Sequence, residues 1–180
     1  RFADGSEESF AYDRTGDLVE ARNAQRLVRL ERDLEGRLLR LLNDDGSEIR
    51  YEYDARDNRI AEETLTAASA GARRTVYEYD TLGRLAALRE PDGHRTPFSY
   101  DGVGNLAART LPNGAEIRYR YDSVNRLAGI DHSVGGSLLE SFAYEINAAG
   151  DITRMTFADG SHASYDYDAL RRLTRERHVG

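Results

Sequence analysis

The chain has 180 residues, no cysteine and a formal net charge of −7. That length allows one domain with a core, while the missing cysteine excludes disulfides and thiol chemistry. The mixed Arg and Glu pattern lacks the basic stripe of a nucleic-acid groove, no apolar run reaches the length of a membrane span, and the start shows no signal-peptide pattern.

The chain opens inside a repeat. Arg1-Phe2-Ala3-Asp4-Gly5-Ser6 matches Thr156-Phe157-Ala158-Asp159-Gly160-Ser161 almost residue for residue, and the chain is therefore expected to be a fragment of a longer protein. The repeating unit is clearest at Tyr77-Glu78-Tyr79-Asp80-Thr81-Leu82-Gly83-Arg84-Leu85. An aromatic strand runs into Asp, a tight turn with Gly follows, and the next strand opens on an aliphatic residue. Asp suits the first turn position because its carboxylate accepts from the amides just ahead; Gly suits the fourth because φ is positive there. A type I turn closed by a left-handed Gly is a common hairpin connection.

Marked by the turn residue, the copies fall at Asp13, Asp33, Asp54, Asp80, Asp101, Asp122, Asn147 and Asp168, in steps of 20 to 26 residues. All 11 tyrosines lie one or three residues before these positions. The slot after the turn reads Leu18, Leu38, Ile60, Leu85, Leu106, Leu127, Ile152 and Leu173, never polar. Alternation in Glu116-Ile117-Arg118-Tyr119-Arg120-Tyr121 puts Ile117, Tyr119 and Tyr121 on one face and the charges on the other, as in a half-buried antiparallel strand. A second turn closes each unit, as Asp4-Gly5, Asp45-Gly46, Pro91-Asp92-Gly93, Pro112-Asn113-Gly114 and Asp159-Gly160. Larger loops at Ala67-Ala68-Ser69-Ala70-Gly71 and Ser133-Val134-Gly135-Gly136-Ser137 account for the two longest steps; the first hairpin uses Arg22-Asn23-Ala24-Gln25.

Some copies depart from the pattern. The second has Leu30 and Arg32 in the aromatic slots and is expected to pack worst. In the third, an extra residue between Asp54 and Ile60 predicts a bulge. Asn125 and Arg171 replace the turn Gly in the sixth and eighth; Asn tolerates positive φ, Arg does so poorly. Pro97 removes a ladder donor and belongs at a strand start or an edge. Leu18 to Leu42 reads as helix on propensity alone, but the in-phase Asp33 to Gly36 turn predicts two hairpins instead. The expected fold is all-β: about sixteen short antiparallel strands in a hairpin meander, residues 1–180 forming one repeat region.

The pattern Tyr-x-Tyr-Asp-x-x-Gly-Arg-Leu followed by Pro-Asp-Gly resembles the YD repeats of the Rhs family, which includes bacterial Rhs toxins, the C component of insecticidal toxin complexes and the teneurins. The resemblance covers essentially the whole chain. It implies a curved sheet that forms part of a hollow β-shell, non-catalytic, enclosing a C-terminal toxin or cargo domain in the full-length protein. The partners it implies are the rest of the shell and that domain, and the full-length protein would be secreted, surface-exposed or delivered by a secretion system. The carried-over structural positions are Tyr12, Asp13 and Gly16; Tyr53 and Asp54; Tyr79, Asp80, Gly83 and Leu85; Tyr100, Asp101 and Gly104; Tyr121, Asp122 and Leu127; Tyr167 and Asp168. The Asp-Pro-x-Gly type segment linked in the family to self-cleavage does not occur in the sequence, so neither autoproteolysis nor toxicity is assigned.

Beside this stand the chemical readings. His94, His132, His162 and His178 are scattered without ligand spacing, so no metal or cofactor is expected. Asp44-Asp45 beside Gly46 reads as a solvated turn rather than a catalytic pair. No catalytic residues are assigned, because an active site needs unlike groups converging once, whereas this chain presents like groups many times. The tyrosine rows allow an alternative, a cell-surface carbohydrate-binding or adhesion module. Cross-strand packing is the favoured reading, since such aromatic pairs contribute roughly 0.2–1 kcal/mol each. Raw sheet edges and an uncovered apolar face predict curling or self-association through edges.

Overall fold

The computed structural model describes residues 7–66 and 71–180. The Arg1–Ser6 match with its Asp4-Gly5 turn, and most of the Ala67–Gly71 loop, lie outside the described residues. The chain divides into two compact units, Arg1–His94 and Arg95–Gly180. In the first, β1 (Ser9–Tyr12), β2 (Leu18–Arg22), β3 (Leu27–Arg32), β4 (Leu38–Asn43), β5 (Glu48–Tyr53), β6 (Arg59–Leu65), β7 (Arg73–Tyr79) and β8 (Leu85–Arg89) follow one another. The second holds β9 (Arg95–Tyr100), β10 (Leu106–Thr110), β11 (Ala115–Tyr121), β12 (Leu127–Val134), β13 (Ser137–Ile146), β14 (Ile152–Phe157), β15 (His162–Tyr167) and β16 (Leu173–Val179). Within each unit every strand pairs antiparallel with its neighbours in sequence, and no helix occurs among the described residues. The Leu18–Leu42 stretch is β2, β3 and most of β4, with turns at Asn23–Arg26 and Asp33–Gly36. The Asx-type turn at Asp33 outweighs the helix propensity of its flanks.

One register recurs in all eight hairpins. The residue before the turn Asp pairs with the residue five after it: Tyr12 with Leu18, Tyr53 with Arg59, Tyr79 with Leu85, Tyr121 with Leu127, Tyr167 with Leu173. The ladder then slips by one residue, so Glu78 faces Ala87 and not Ala86. This corrects the third copy. Its turn has the ordinary length, Asp57 takes the left-handed slot at φ 65°, and Arg59, not Ile60, occupies the position of Leu85. The bulge expected there alone belongs to every copy, and the slot after the turn is polar once.

The slip assigns the faces. Tyrosines one and three before the turn share a face with Leu85 and Leu88. The opposite face carries Glu20–Arg29, Glu31–Arg40–Glu48–Arg50, Glu52–Arg74 and Glu78–Arg89 in the first unit, and Glu116–Arg118, Arg120–Asp131 and Asp166–Arg177 in the second. Every cation of these pairs is Arg, for the chain contains no lysine. Among the described residues the buried hydrophobics are Ala61, Ala87, Ile117 and Ala163, and no large side chain is fully buried. Ala61 lies beneath a two-pronged Arg74–Glu52 bridge (2.7 and 2.8 Å) that crosses β6. Each unit is therefore stabilised by lateral packing along its faces and by its ladders, with almost no sealed core. Pro97 is the third residue of β9, inside the strand and not at its start, and lies beyond Phe98, the last β9 residue paired with β10.

Candidate functional site

The candidate site in each unit is the row of turns that closes its four hairpins, with the tyrosine face beside it. The turns share one construction. The amide of the fourth residue donates to the carbonyl of Asp, as in Gly83 to Asp80 (3.0 Å), Gly16 to Asp13 (3.3 Å) and Gly104 to Asp101 (3.1 Å). The Asp Oδ1 then accepts two further amides: Leu82 and Arg84 at Asp80, Val124 and Arg126 at Asp122, Leu170 and Arg172 at Asp168. Oδ2 accepts from the side chain four residues on: Arg37, Asn58, Arg84, Asn105, Arg126 or Arg172, at 2.6–3.0 Å. The Asp carboxylate saturates the turn, and the Arg84 amide holds its pKa below the usual range against an opposing push from burial. Asp122 is lowered in the same way by the Arg126 amide, and Asp168 by that of Arg172.

The sequence pattern contained Arg84 but not its task. A residue four beyond each Asp that can donate is the signal for this contact, and Arg or Asn fills it in six copies. These side chains also reach along the row. In the first unit Arg37 meets Asp57 Oδ1 (2.5 Å) and Arg56 meets the Thr81 carbonyl (3.2 Å). In the second, Asn105 meets Asn125 Oδ1 (3.2 Å) and Arg126 the Asn147 carbonyl (2.7 Å). Arg171 adopts φ 62°, a conformation costly for a side chain with Cβ, while its guanidinium bonds Asp151 at 2.7 and 2.8 Å. Asn125 sits at the same φ of 62°.

The tyrosine before the Asp links successive copies. Tyr53 donates its hydroxyl to the Leu38 carbonyl, Tyr79 to that of Arg59 and Tyr167 to that of Ile152, each at 2.9 Å. The acceptor is always the first residue after the preceding turn. All tyrosines are half-buried except Tyr12, which is exposed. Tyr100 and Tyr121 occupy the same register, paired with Leu106 and Leu127. Arg59 lies over the rings of Tyr51 and Tyr77, 5.6 and 4.9 Å from their centroids. A cation on an aromatic face explains how the slot tolerates its one polar occupant.

In the second copy, Arg32 stands where this tyrosine would be. Its Nη1 bonds the Gly36 carbonyl, its buried Nε has no hydrogen-bond partner, and beside it opens a hollow of about 870 Å³ lined by Val19, Leu30, Arg32 and Asp33. Arg32→Tyr is expected to stabilise the chain by about 1 kcal/mol, by covering part of that hollow with an apolar ring and removing an orphaned donor. A urea titration of both proteins checks this; an unchanged or lower midpoint contradicts it.

The residues weighed for chemistry stay apart. His132 sits edge-on to Phe142, His162 beside Arg154, and His178 against Glu176. Asp44 Oδ2 and Asp45 Oδ1 accept the amides of Leu27 and Ser47. Glu90, Asp92 and His94 bring ligand atoms within 4.8 Å of one another, but all three are exposed, and Asp92 engages His94 at 2.8 Å.

Eight hairpins of one register, closed by one Asx-type turn and in three copies tied to the preceding one by a tyrosine hydroxyl, define a β-hairpin repeat protein. The RHS Repeat family model matches residues 32–70, 100–137 and 147–180. The chain belongs to the RHS repeat family. None of the curated proteins compared with it matches by sequence. Among solved structures it resembles a chain of the TcdB2-TccC3-Cdc42 crystal structure, with a TM-score of 0.63 at 15% identity over 98% of this chain. A chain of TcdB2-TccC3 without the hypervariable C-terminal region gives 0.62 at 16% identity over 95%. The likeness is one of fold, and this chain spans 11% of the length of each.

Proposed function

We propose that residues 1–180 form one continuous stretch of wall in a YD-repeat shell, which encloses a C-terminal toxin or cargo domain in the full-length protein. The observation that carries this reading is the repetition of one turn whose polar groups are spent on one another. Its carboxylates accept local amides and guanidinium groups, and the hydroxyls of Tyr53, Tyr79 and Tyr167 bond the neighbouring copy. Such groups knit a sheet; they do not converge on a substrate. The positions from Tyr12 to Asp168 named above are structural in this reading. The Arg59 contact over Tyr51 and Tyr77, and the bonded hydroxyls of Tyr53, Tyr79 and Tyr167, favour packing over sugar binding.

The first test is on the chain itself. Leu85→Asp or Tyr79→Ala is expected to cost about 2 kcal/mol or more and to promote aggregation, by exposing the aliphatic–aromatic face. Arg118→Ala is expected to be nearly silent, since Arg118 is 65% exposed. Equal tolerance at all three positions, followed by thermal melts, counts against the wall. The second test is on the longer protein: limited proteolysis should spare the enclosed domain and cleave it once Leu85→Asp opens the wall.

A further inference from the structure

The hairpin of β12 and β13 outgrows its neighbour. β13 has 10 residues, but its ladder with β14 ends at Phe142 and Phe157. There β14 reverses, the Phe157 amide donating to Ser161. From Ser137 to Ser141, β13 therefore pairs with β12 alone, and its side toward β14 has no ladder partner among the described residues. β12, by contrast, is matched by β11 out to Val134. In an antiparallel strand alternate backbone groups face each side, so this overhang presents unpaired N–H and C=O groups in the middle of the fold's order. It also presents the largest pair of adjacent exposed aliphatic side chains away from the turn tips, Leu138 at 57% and Leu139 at 66%.

We propose that this overhang is a pairing site for the same edge of a second copy of the chain. The sequence Ser137-Leu138-Leu139-Glu140-Ser141 is self-complementary when two copies run antiparallel about a two-fold axis through Leu139. Leu139 then faces Leu139, Leu138 faces Glu140 of the other copy, and Ser137 faces Ser141. No like charges stand directly opposite, the two Glu140 carboxylates lying on the diagonal, and the open backbone groups of both copies are satisfied at once. Among the described residues Glu140 makes no ion pair that this arrangement would break. The edge is five residues long, so the buried area is at the small end for specific interfaces and the dimer is concentration-dependent. This inference does not depend on the shell reading: it holds for the hairpin whether or not the wall encloses a cargo.

Sedimentation equilibrium of the full chain over a wide concentration range tests it. The expected result is a monomer–dimer equilibrium whose association constant falls at least tenfold in Leu139→Lys, with Val124→Lys, an equally exposed turn-tip change, leaving it unaltered. Hydrogen exchange at the amides of residues 138–141 should slow as concentration rises. A monomer at every concentration overturns the proposal. So does a dimer that Leu139→Lys leaves intact while Phe10→Lys or Leu173→Lys weakens it, which would place the contact at β1 or β16.

Discussion

Acidification is expected to unfold the chain steeply between about pH 4.5 and pH 2. Glu48 supplies the clearest single contribution. It is 6% exposed on the charged face, and Arg40 foremost, then Arg50, lower its carboxyl from the usual 4.5 to about 2 against the opposing effect of burial. Arg40 Nη2 meets it at 2.7 Å, and Arg50 Nε bonds its other oxygen. A carboxyl whose pKa is lower in the folded state contributes stability that is complete above its unfolded pKa. That stability drains as pH falls and is gone below the folded pKa. A shift of this size corresponds to at most about 3 kcal/mol, and the half-exposed Arg50 reduces it by screening. The turn carboxylates of Asp13, Asp54, Asp80, Asp122 and Asp168 are lowered too, each chiefly by the donors of its own turn. Asp33 and Asp101 also stay below the usual range, although burial, the largest single influence on each, pushes the other way. These shifts share one sign and one pH window, so their losses accumulate. Chemical denaturation followed from pH 7 to pH 2 should show stability falling throughout the window, and Glu48→Gln should flatten the fall while lowering stability at pH 7. A chain equally stable at pH 3 and pH 7 would contradict the construction of the turns.

The repeat positions were legible because each is a local event. An Asp that must accept two nearby amides, and a fourth residue at positive φ, leave marks within five residues of sequence. The tyrosine register was legible for the same reason, through period-two alternation. Three features were not. Arg59 looked like an insertion because its slot is otherwise aliphatic; only the pairing of Tyr53 with Arg59 shows that the turn has its ordinary length. The hydroxyl bond from Tyr79 to Arg59 joins residues 20 apart, and no periodic pattern names the acceptor when it is a carbonyl. The near absence of a sealed core was also hidden, because alternation predicts which residues share a face but not whether anything lies on it.

Gly129→Ala is expected to destabilise the chain by about 1–3 kcal/mol, although the same change inside a strand ordinarily helps. Gly129 lies seven residues after Asp122, the slot filled by Ala61, Ala87 and Ala108 in the three preceding copies. It pairs with Arg120 on one side and Ala143 on the other. Arg120 lies across it to hold Asp131 through Nε and Nη2, both at 3.1 Å, and Asp131 also receives the Ser141 hydroxyl at 2.6 Å. A Cβ at position 129 would meet Arg120 Nη2 at 2.5 Å, Arg120 Cζ at 2.7 Å and the Phe142 carbonyl oxygen at 2.8 Å. The guanidinium can swing away at the expense of its ion pair. The carbonyl belongs to the β13 backbone and can retreat only by distorting the ladder. Arg120→Ala should therefore recover part of the loss in the double variant and leave the remainder, and that remainder measures the backbone clash. Ala108→Gly should cost only about 0.5–1 kcal/mol. If Gly129→Ala melts at or above the parent, the close crossing of β12 by Arg120 is not what keeps this slot bare.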